Sequence, residues 1–242
     1  DDRDAGLVET PDGTLVASWF TGFECENNPD YKAHAKTITQ EDVNRWLGHW
    51  TQRSMDSGVT WEEPVKTVGS TPHGPIVNDT GNLLYLGSGT FDGANGLSVE
   101  ESTDDGRSWK VIGRVPQPEG IGLGEPYMVE TKSGKLLGLF RYGTSNLREK
   151  FMYQAESLDG GRTWNVPVRT DILGYPAHML RLQDDRILLV YGVRVAPFGE
   201  RARVSVDEGE TWSDEIILCT DTSPDLGYPA SAILEDGTIL TV

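Results

Sequence analysis

The sequence predicts an all-β chain folded as a β-propeller, and three observations predict it. An octapeptide of pattern Ser-x-Asp-x-Gly-x-Ser/Thr-Trp recurs at 54–61, 102–109, 157–164 and 205–212, with starts 48, 55 and 48 residues apart. Short apolar runs of strand length follow turn sequences with the same period. A further repeat opens one strand per period: His73-Gly-Pro-Ile-Val, Glu125-Pro-Tyr-Met-Val, Tyr175-Pro-Ala-His-Met-Leu and Tyr228-Pro-Ala-Ser-Ala-Ile. Repeats of about 50 residues holding about four strands each are the signature of propeller blades. At that period the 242 residues form one domain of not quite five blades.

Taken in order, Arg3-Asp-Ala-Gly-Leu-Val stands where the later strand-opening repeats stand. A strand over 15–20 follows the turn Pro11-Asp-Gly13, and strands over 83–87, 136–141, 187–191 and 238–242 follow Asp79-Thr-Gly81, Ser133-Gly134, Asp184-Asp185 and Asp236-Gly237. The insertion 27–50 interrupts the first repeat; Val43, Trp46, Leu47 and Trp50 have helical spacing there, after Thr39. Each octapeptide reads as a hairpin turn in which glycine takes a positive φ, the Asp and Ser/Thr side chains bond turn amides, and Trp caps the sheet core. The acidic turns are not EF-hands, because no twelve-residue loop ending in Glu lies between helices. Their work is structural.

Composition narrows the function classes. The 28 Gly and 13 Pro punctuate many short segments rather than long helices. With 21 Lys+Arg against 38 Asp+Glu the net charge is −17, which argues against nucleic acid or an anionic membrane surface as partner. No stretch approaches the roughly 18 consecutive apolar residues of a membrane span. The sequence begins Asp1-Asp2-Arg3-Asp4, with no leader pattern. Cys25 and Cys219 are too few for a disulfide framework and lack metal-ligand spacing, so the redox compartment stays open, and neither a metal nor a cofactor is expected.

In a propeller the innermost strand of each blade starts near the axis, so residues there meet although they are far apart in sequence. Arg3, His73, Glu125, Tyr175 and Tyr228 therefore face one cavity, with His178 beside them.

The four octapeptides are Asp boxes, and the chain resembles, along essentially its whole length, the sialidase (neuraminidase) superfamily in its bacterial BNR-repeat branch. The resemblance implies a six-bladed propeller, of which this chain is a fragment lacking half of blade five and most of blade six. It also implies an exo-acting retaining glycosidase, exported or periplasmic, whose partners are sialylated or other acidic glycans. Cleaving a sialoside needs a clamp for a permanent carboxylate, which the fixed charge and planar fork of arginine supply. It needs a nucleophile tolerable beside that carboxylate, which a Tyr deprotonated by Glu supplies. Gly227-Tyr228-Pro-Ala-Ser-Ala-Ile-Leu-Glu-Asp-Gly-Thr-Ile resembles the family segment that carries the nucleophile, which implies Tyr228. Glu125-Pro-Tyr-Met-Val-Glu130, with Gly134 and the strand ending at Arg141, is similar to the stretch carrying the base and the second clamp arginine. Arg201, ahead of the fourth box, resembles the third, with Arg194 and Arg203 as competitors. Arg3 stands at the first clamp position, although Asp4-Ala5-Gly6 departs from the family's Ile-Pro-Ala. The acid falls on Asp42, twelve residues before Ser54, with Glu24, Glu26 and Asp30 as alternatives. Tyr175 and His73 are assigned to substrate binding. The altered segment after Arg3 and the prolines after Glu125, Tyr175 and Tyr228 keep two other readings open: a propeller glycosidase or lyase for another acidic sugar, and a non-catalytic glycan-binding propeller.

Overall fold

The computed structural model describes residues 2–23, 29–91, 93–220, 223 and 227–242. Blade 1 is the meander β1 (Asp2–Glu9), β2 (Leu15–Thr21), β3 (Gly48–Ser54) and β4 (Val65–Thr67). Blade 2 comprises β5 (Gly69–Ser70), β6 (Ile76–Val77), β7 (Leu83–Phe91), β8 (Ala94–Ser102) and β9 (Lys110–Val115), with β5 and β6 both pairing β7. Blade 3 is β10 (Leu123–Glu130), β11 (Leu136–Tyr142), β12 (Phe151–Ser157) and β13 (Val168–Leu173). Blade 4 is β14 (Ala177–Arg181), β15 (Ile187–Val193), β16 (Gly199–Ser205) and β17 (Ile216–Ile217), and the hairpin β18 (Ser231–Ile233)–β19 (Ile239–Thr241) opens a fifth. Neighbouring strands pair antiparallel throughout, and the sheets form an incomplete β-propeller. No described helix is long and apolar enough to cross a membrane.

The insertion in blade 1 holds α1 (Lys32–Ala35) and α2 (Gln40–Trp46). Thr39 caps α2 as expected, in a capping box with Asp42. The helix is shorter than the periodicity predicts: Leu47 is extended, Gly48 has φ +136°, and Trp50 lies in β3 opposite Trp19. Trp50 still meets the helix, donating its indole N–H to the Trp46 carbonyl at 2.9 Å.

The core lies between blades. On β11, Leu136 and Phe140 pack with Leu84, Leu86 and Val99 of blade 2, whereas Leu137 and Leu139 pack with Met179, Ile187 and Leu189 of blade 4. Adjacent strand residues thus serve opposite interfaces, which is why this strand is apolar at nearly every position.

Each Asp box forms the same turn. The box Ser hydroxyl accepts the Gly N–H at 2.8 Å in all four. One Asp oxygen accepts the backbone N–H of the Ser/Thr at 2.8–2.9 Å, and the other accepts its hydroxyl at 2.6–2.7 Å. These bonds hold the four Asp carboxyls below the ordinary carboxylate range, Asp159 at about 2. Two of the tryptophans tie a blade to its predecessor: Trp109 donates to Thr51 of β3 at 2.8 Å and Trp212 to Gln154 of β12 at 3.4 Å.

Candidate active site

The inner strands β1, β6, β10, β14 and β18 face one another across the axis, lining a cavity of about 1070 Å³ with residues that include Gly6, Ile76, Val129, Met179 and Ala232. Within it, His73 sets its ring edge-on to Tyr127 and His178, at 5.5 and 5.1 Å between centroids, and Tyr127 stacks on His178 at 4.7 Å. Burial, joined for His73 by the neighbouring His178, depresses the two imidazoles to about 3 and about 4. His73 is thus a neutral wall group of the axial cavity, in contact with aromatic rings, and is not drawn into the charged cluster described next.

That cluster forms where the inner strands begin. In blade 3, Arg141 lies opposite Gly124 in the β10–β11 ladder, and the register shifts between Gly124 and Tyr127. The intervening Glu125 has φ +40°, an uncommon conformation for a side-chain-bearing residue, and this bulge re-aims its carboxylate. Glu125 Oε1 accepts from Arg141 Nη1 and from the Tyr228 hydroxyl, the latter at 3.3 Å across 103 residues of sequence. Burial is the largest single influence on the Arg141 guanidinium and pulls it down, but the bond to Glu125 together with the charges of Glu125, Tyr228 and Tyr175 outweighs it and holds the group above its ordinary range. Burial, with the charges of Glu125 and Asp4, pushes the Tyr228 phenol up.

Tyr175 is buried beside this pair, and three cations surround its ring. Arg141 Cζ lies 4.3 Å from the centroid, Lys150 Nζ 4.5 Å and Arg194 Cζ 5.0 Å; Arg194 Cζ is also 5.8 Å from the Tyr228 ring. Each gains from the ring face, but they repel one another. Burial and the Arg141 charge accordingly lower the Lys150 ammonium pKa. Such a cluster is stabilised by a bound anion.

Of the residues expected from sequence, Glu125, Tyr228, Arg141 and Tyr175 come together here. Arg201 does not. Its guanidinium is 2 % exposed, pairs with Glu215 at 3.1 Å and donates to the carbonyls of Pro197, Glu200 and Cys219 at 2.8–3.0 Å, so no N–H fork is left for a ligand. Arg194 reaches the tyrosines in its place. Asp42 is also spent locally: its carboxylate accepts the Thr39 N–H and hydroxyl at 3.0 and 2.6 Å. Arg3 lines a separate cavity of about 470 Å³ with Asp2, Asp4, Trp19 and Trp61. Glu24 and Glu26 lie outside the described residues. Lys150 and Asp4 were not singled out from sequence: Lys150 precedes β12 without a motif, and Asp4, at φ +53°, stands in the bulge between Arg3 and Gly6 that replaces the expected tripeptide. Among the described residues no group of three or more His, Cys, Asp or Glu could hold a metal ion.

No curated protein matches the chain. Among solved structures it is similar to a protein of unknown function from Dyadobacter fermentans DSM 18053, with 25 % identity and a TM-score of 0.75 over 95 % of this chain and 68 % of that one. It is also similar to the NanB sialidase from Streptococcus pneumoniae, at 14 % identity and TM-score 0.67 over 98 % and 52 % of the two chains. For the alpha-L-arabinanase of Penicillium chrysogenum the values are 18 %, 0.65, 98 % and 74 %. The chain thus spans between about half and three quarters of the length of these neighbours. A family model described as a BNR repeat-like domain matches residues 27–241, so the boxes, the blades and the match together make the chain a member of the BNR repeat-like domain family.

Proposed function

We propose that the chain carries the active site of a retaining glycoside hydrolase for terminal acidic sugars, with sialic acid as the leading substrate. The observation that carries the reading is the Tyr228–Glu125 hydrogen bond set beside three cations around Tyr175. In this reading Arg141, Arg194 and Lys150 hold the sugar carboxylate. Tyr228 oxygen attacks the anomeric carbon as its proton passes to Glu125, and the bond to the leaving oxygen breaks. Glu125 is needed because Tyr228, with its phenol pushed up by burial, has no standing phenolate at neutral pH. A neutral tyrosine also avoids setting a carboxylate nucleophile against the anionic sugar. The proton for the leaving oxygen is assigned to Asp4, whose charge reaches Tyr228, rather than to Asp42, which caps its helix. Water then releases the sugar from Tyr228 with net retention. The cation cluster supports an acidic sugar over a neutral one, and the hydrogen bond at 3.3 Å supports catalysis over glycan binding alone.

The test is hydrolysis of a fluorogenic sialoside by the protein that contains this chain. Tyr228→Phe and Glu125→Ala are each expected to lose at least about a hundredfold in kcat. Full turnover in both variants would overturn the reading, and turnover of uronic-acid glycosides alone would move it to another acidic sugar.

A further inference from the structure

Lys150 is set apart from the other lysines by its company. Lys132 pairs with Asp185 at 2.5 Å, and Lys135, similarly buried, lies between Glu156 and Glu210 at 2.8 and 3.2 Å. Lys150 is 7 % exposed and has no such partner: among the described residues its side chain makes no hydrogen bond or ion pair. Instead its Nζ stands 4.5 Å from the Tyr175 ring centroid, with the guanidinium groups of Arg141 and Arg194 at 4.3 and 5.0 Å from the same centroid. The nitrogen is not sealed in, as Glu125 Oε2 is, and so opens to the site. An ammonium buried among cations is pressed toward its uncharged form. Burial, then the Arg141 charge and less strongly Arg194, lower its pKa against the pull of Glu125. A lysine desolvated beside another cation is the amine that condenses with carbonyl compounds. Arg141 supplies the other half of the arrangement. It gives Nη1 to Glu125, and its Nε and Nη2 donors have no protein partner among the described residues, which leaves a planar edge for a carboxylate beside the ring it shares with Lys150.

We propose that Lys150 is a covalent capture site for small 2-oxo acids, in which Arg141 takes the ligand carboxylate and Lys150 Nζ condenses with the adjacent keto carbon. The inference rests on the reading of the cluster as an anion site, and not on which sugar that site takes. The uncharged amine adds its lone pair to the keto carbon as the carbon–oxygen π bond opens, giving a carbinolamine. The two amine hydrogens then leave with that oxygen as water, and a carbon–nitrogen double bond remains. The step needs no oxidant or reductant, and water reverses it. The adduct fills the place assigned to the sugar carboxylate, so a captured 2-oxo acid shuts the site until it is hydrolysed.

The test is chemical trapping in the folded, unmutated protein that contains this chain. It is incubated at neutral pH with pyruvate and cyanoborohydride, which fixes the imine as a stable amine, and the labelled lysines are mapped by peptide mass spectrometry. Lys150 is expected to label about tenfold or more faster than any other lysine of the chain. Ethyl pyruvate presents the same ketone without the carboxylate, and with it the preference for Lys150 should fall by about tenfold. Labelling of Lys150 by pyruvate no faster than that of the exposed lysines would overturn the proposal. An equal preference with the ester would overturn it too, because Arg141 would then contribute nothing. Preferred labelling in a protein that cleaves no sialoside would uphold the capture site and reject the substrate. Cleavage of sialosides without preferred labelling would reject the capture site and leave the hydrolase reading standing.

Discussion

Arg194 and Arg201 are seven residues apart and chemically identical, yet only one reaches the tyrosines. Arg194 lies in the segment between β15 and β16, whereas Arg201 lies on β16, where strand parity sets its direction. Side chains alternate along β16, so Arg201 turns toward Glu215 and the Cys219 carbonyl, while the adjacent Glu200 turns toward Gly227. A sequence shows that an arginine precedes the fourth box; which of two successive residues points inward depends on register, and one residue reverses the answer. The two arginines should therefore fail differently. Arg194→Ala is expected to raise KM for an anionic sugar by about tenfold or more, with a melting temperature near wild type. Arg201→Ala removes a buried guanidinium and its four hydrogen bonds, to Glu215 and to the carbonyls of Pro197, Glu200 and Cys219, and should cost about 3 kcal/mol in urea unfolding. A stable Arg201→Ala protein with weakened substrate binding would return Arg201 to the site.

At the scale of elements, the Asp box does more than close a hairpin. Its glycine abuts the core of the preceding blade: a Cβ on Gly106 would lie 3.3 Å from Val16, one on Gly161 3.0 Å from Val99, and one on Gly209 2.4 Å from Leu137. Gly58, in the first box, instead has nearest neighbours from its own blade, Trp61 and Leu15, at 3.7 and 3.8 Å. All four glycines have φ between +82° and +91°, so backbone strain on substitution is common to the set. Gly58→Ala should cost about 1–2 kcal/mol for that strain alone, and Gly209→Ala should add overpacking of about 1–3 kcal/mol. Equal urea midpoints for the two variants would show that the box does not wedge the blades. The boxes were readable in the sequence because their bonds close within eight residues. Glu125 and Tyr228 were readable because they recur at one blade position, although 103 residues separate them. The end of α2 was not, because Leu47 and Trp50 satisfy helical spacing while Gly48 turns the chain into β3.

Over the whole molecule, the net charge of −17 describes the surface and not the axis, where three cations meet. Beneath them the axis carries its own constraint, because His73 of blade 2, Tyr127 of blade 3 and His178 of blade 4 stack, and His178 Nδ1 accepts the Ser231 N–H of the fifth blade's hairpin at 3.3 Å. Protonating this stack would bring charge into the one place where all the described blades after the first meet. Both imidazoles have folded pKa values depressed below 6.5, to about 3 and about 4, so the unfolded chain binds more protons in that window. Their contribution is complete above pH 6.5 and is lost as pH falls toward 4 and then 3. Buried Glu100, raised to about 7, acts in the opposite sense: its contribution is complete below the unfolded glutamate value and is lost as pH rises through 7. The two effects oppose each other between about pH 4.5 and 6.5, and only the histidines act below that range. His73→Phe keeps an aromatic edge against Tyr127 and removes one titrating group. Its melting temperature relative to wild type should therefore rise steadily as pH is lowered from 6.5 to 3.5, with the Asp-box losses common to both proteins cancelling in the difference. A difference that stays constant across that range would mean that the axial histidines do not govern how the blades come apart in acid.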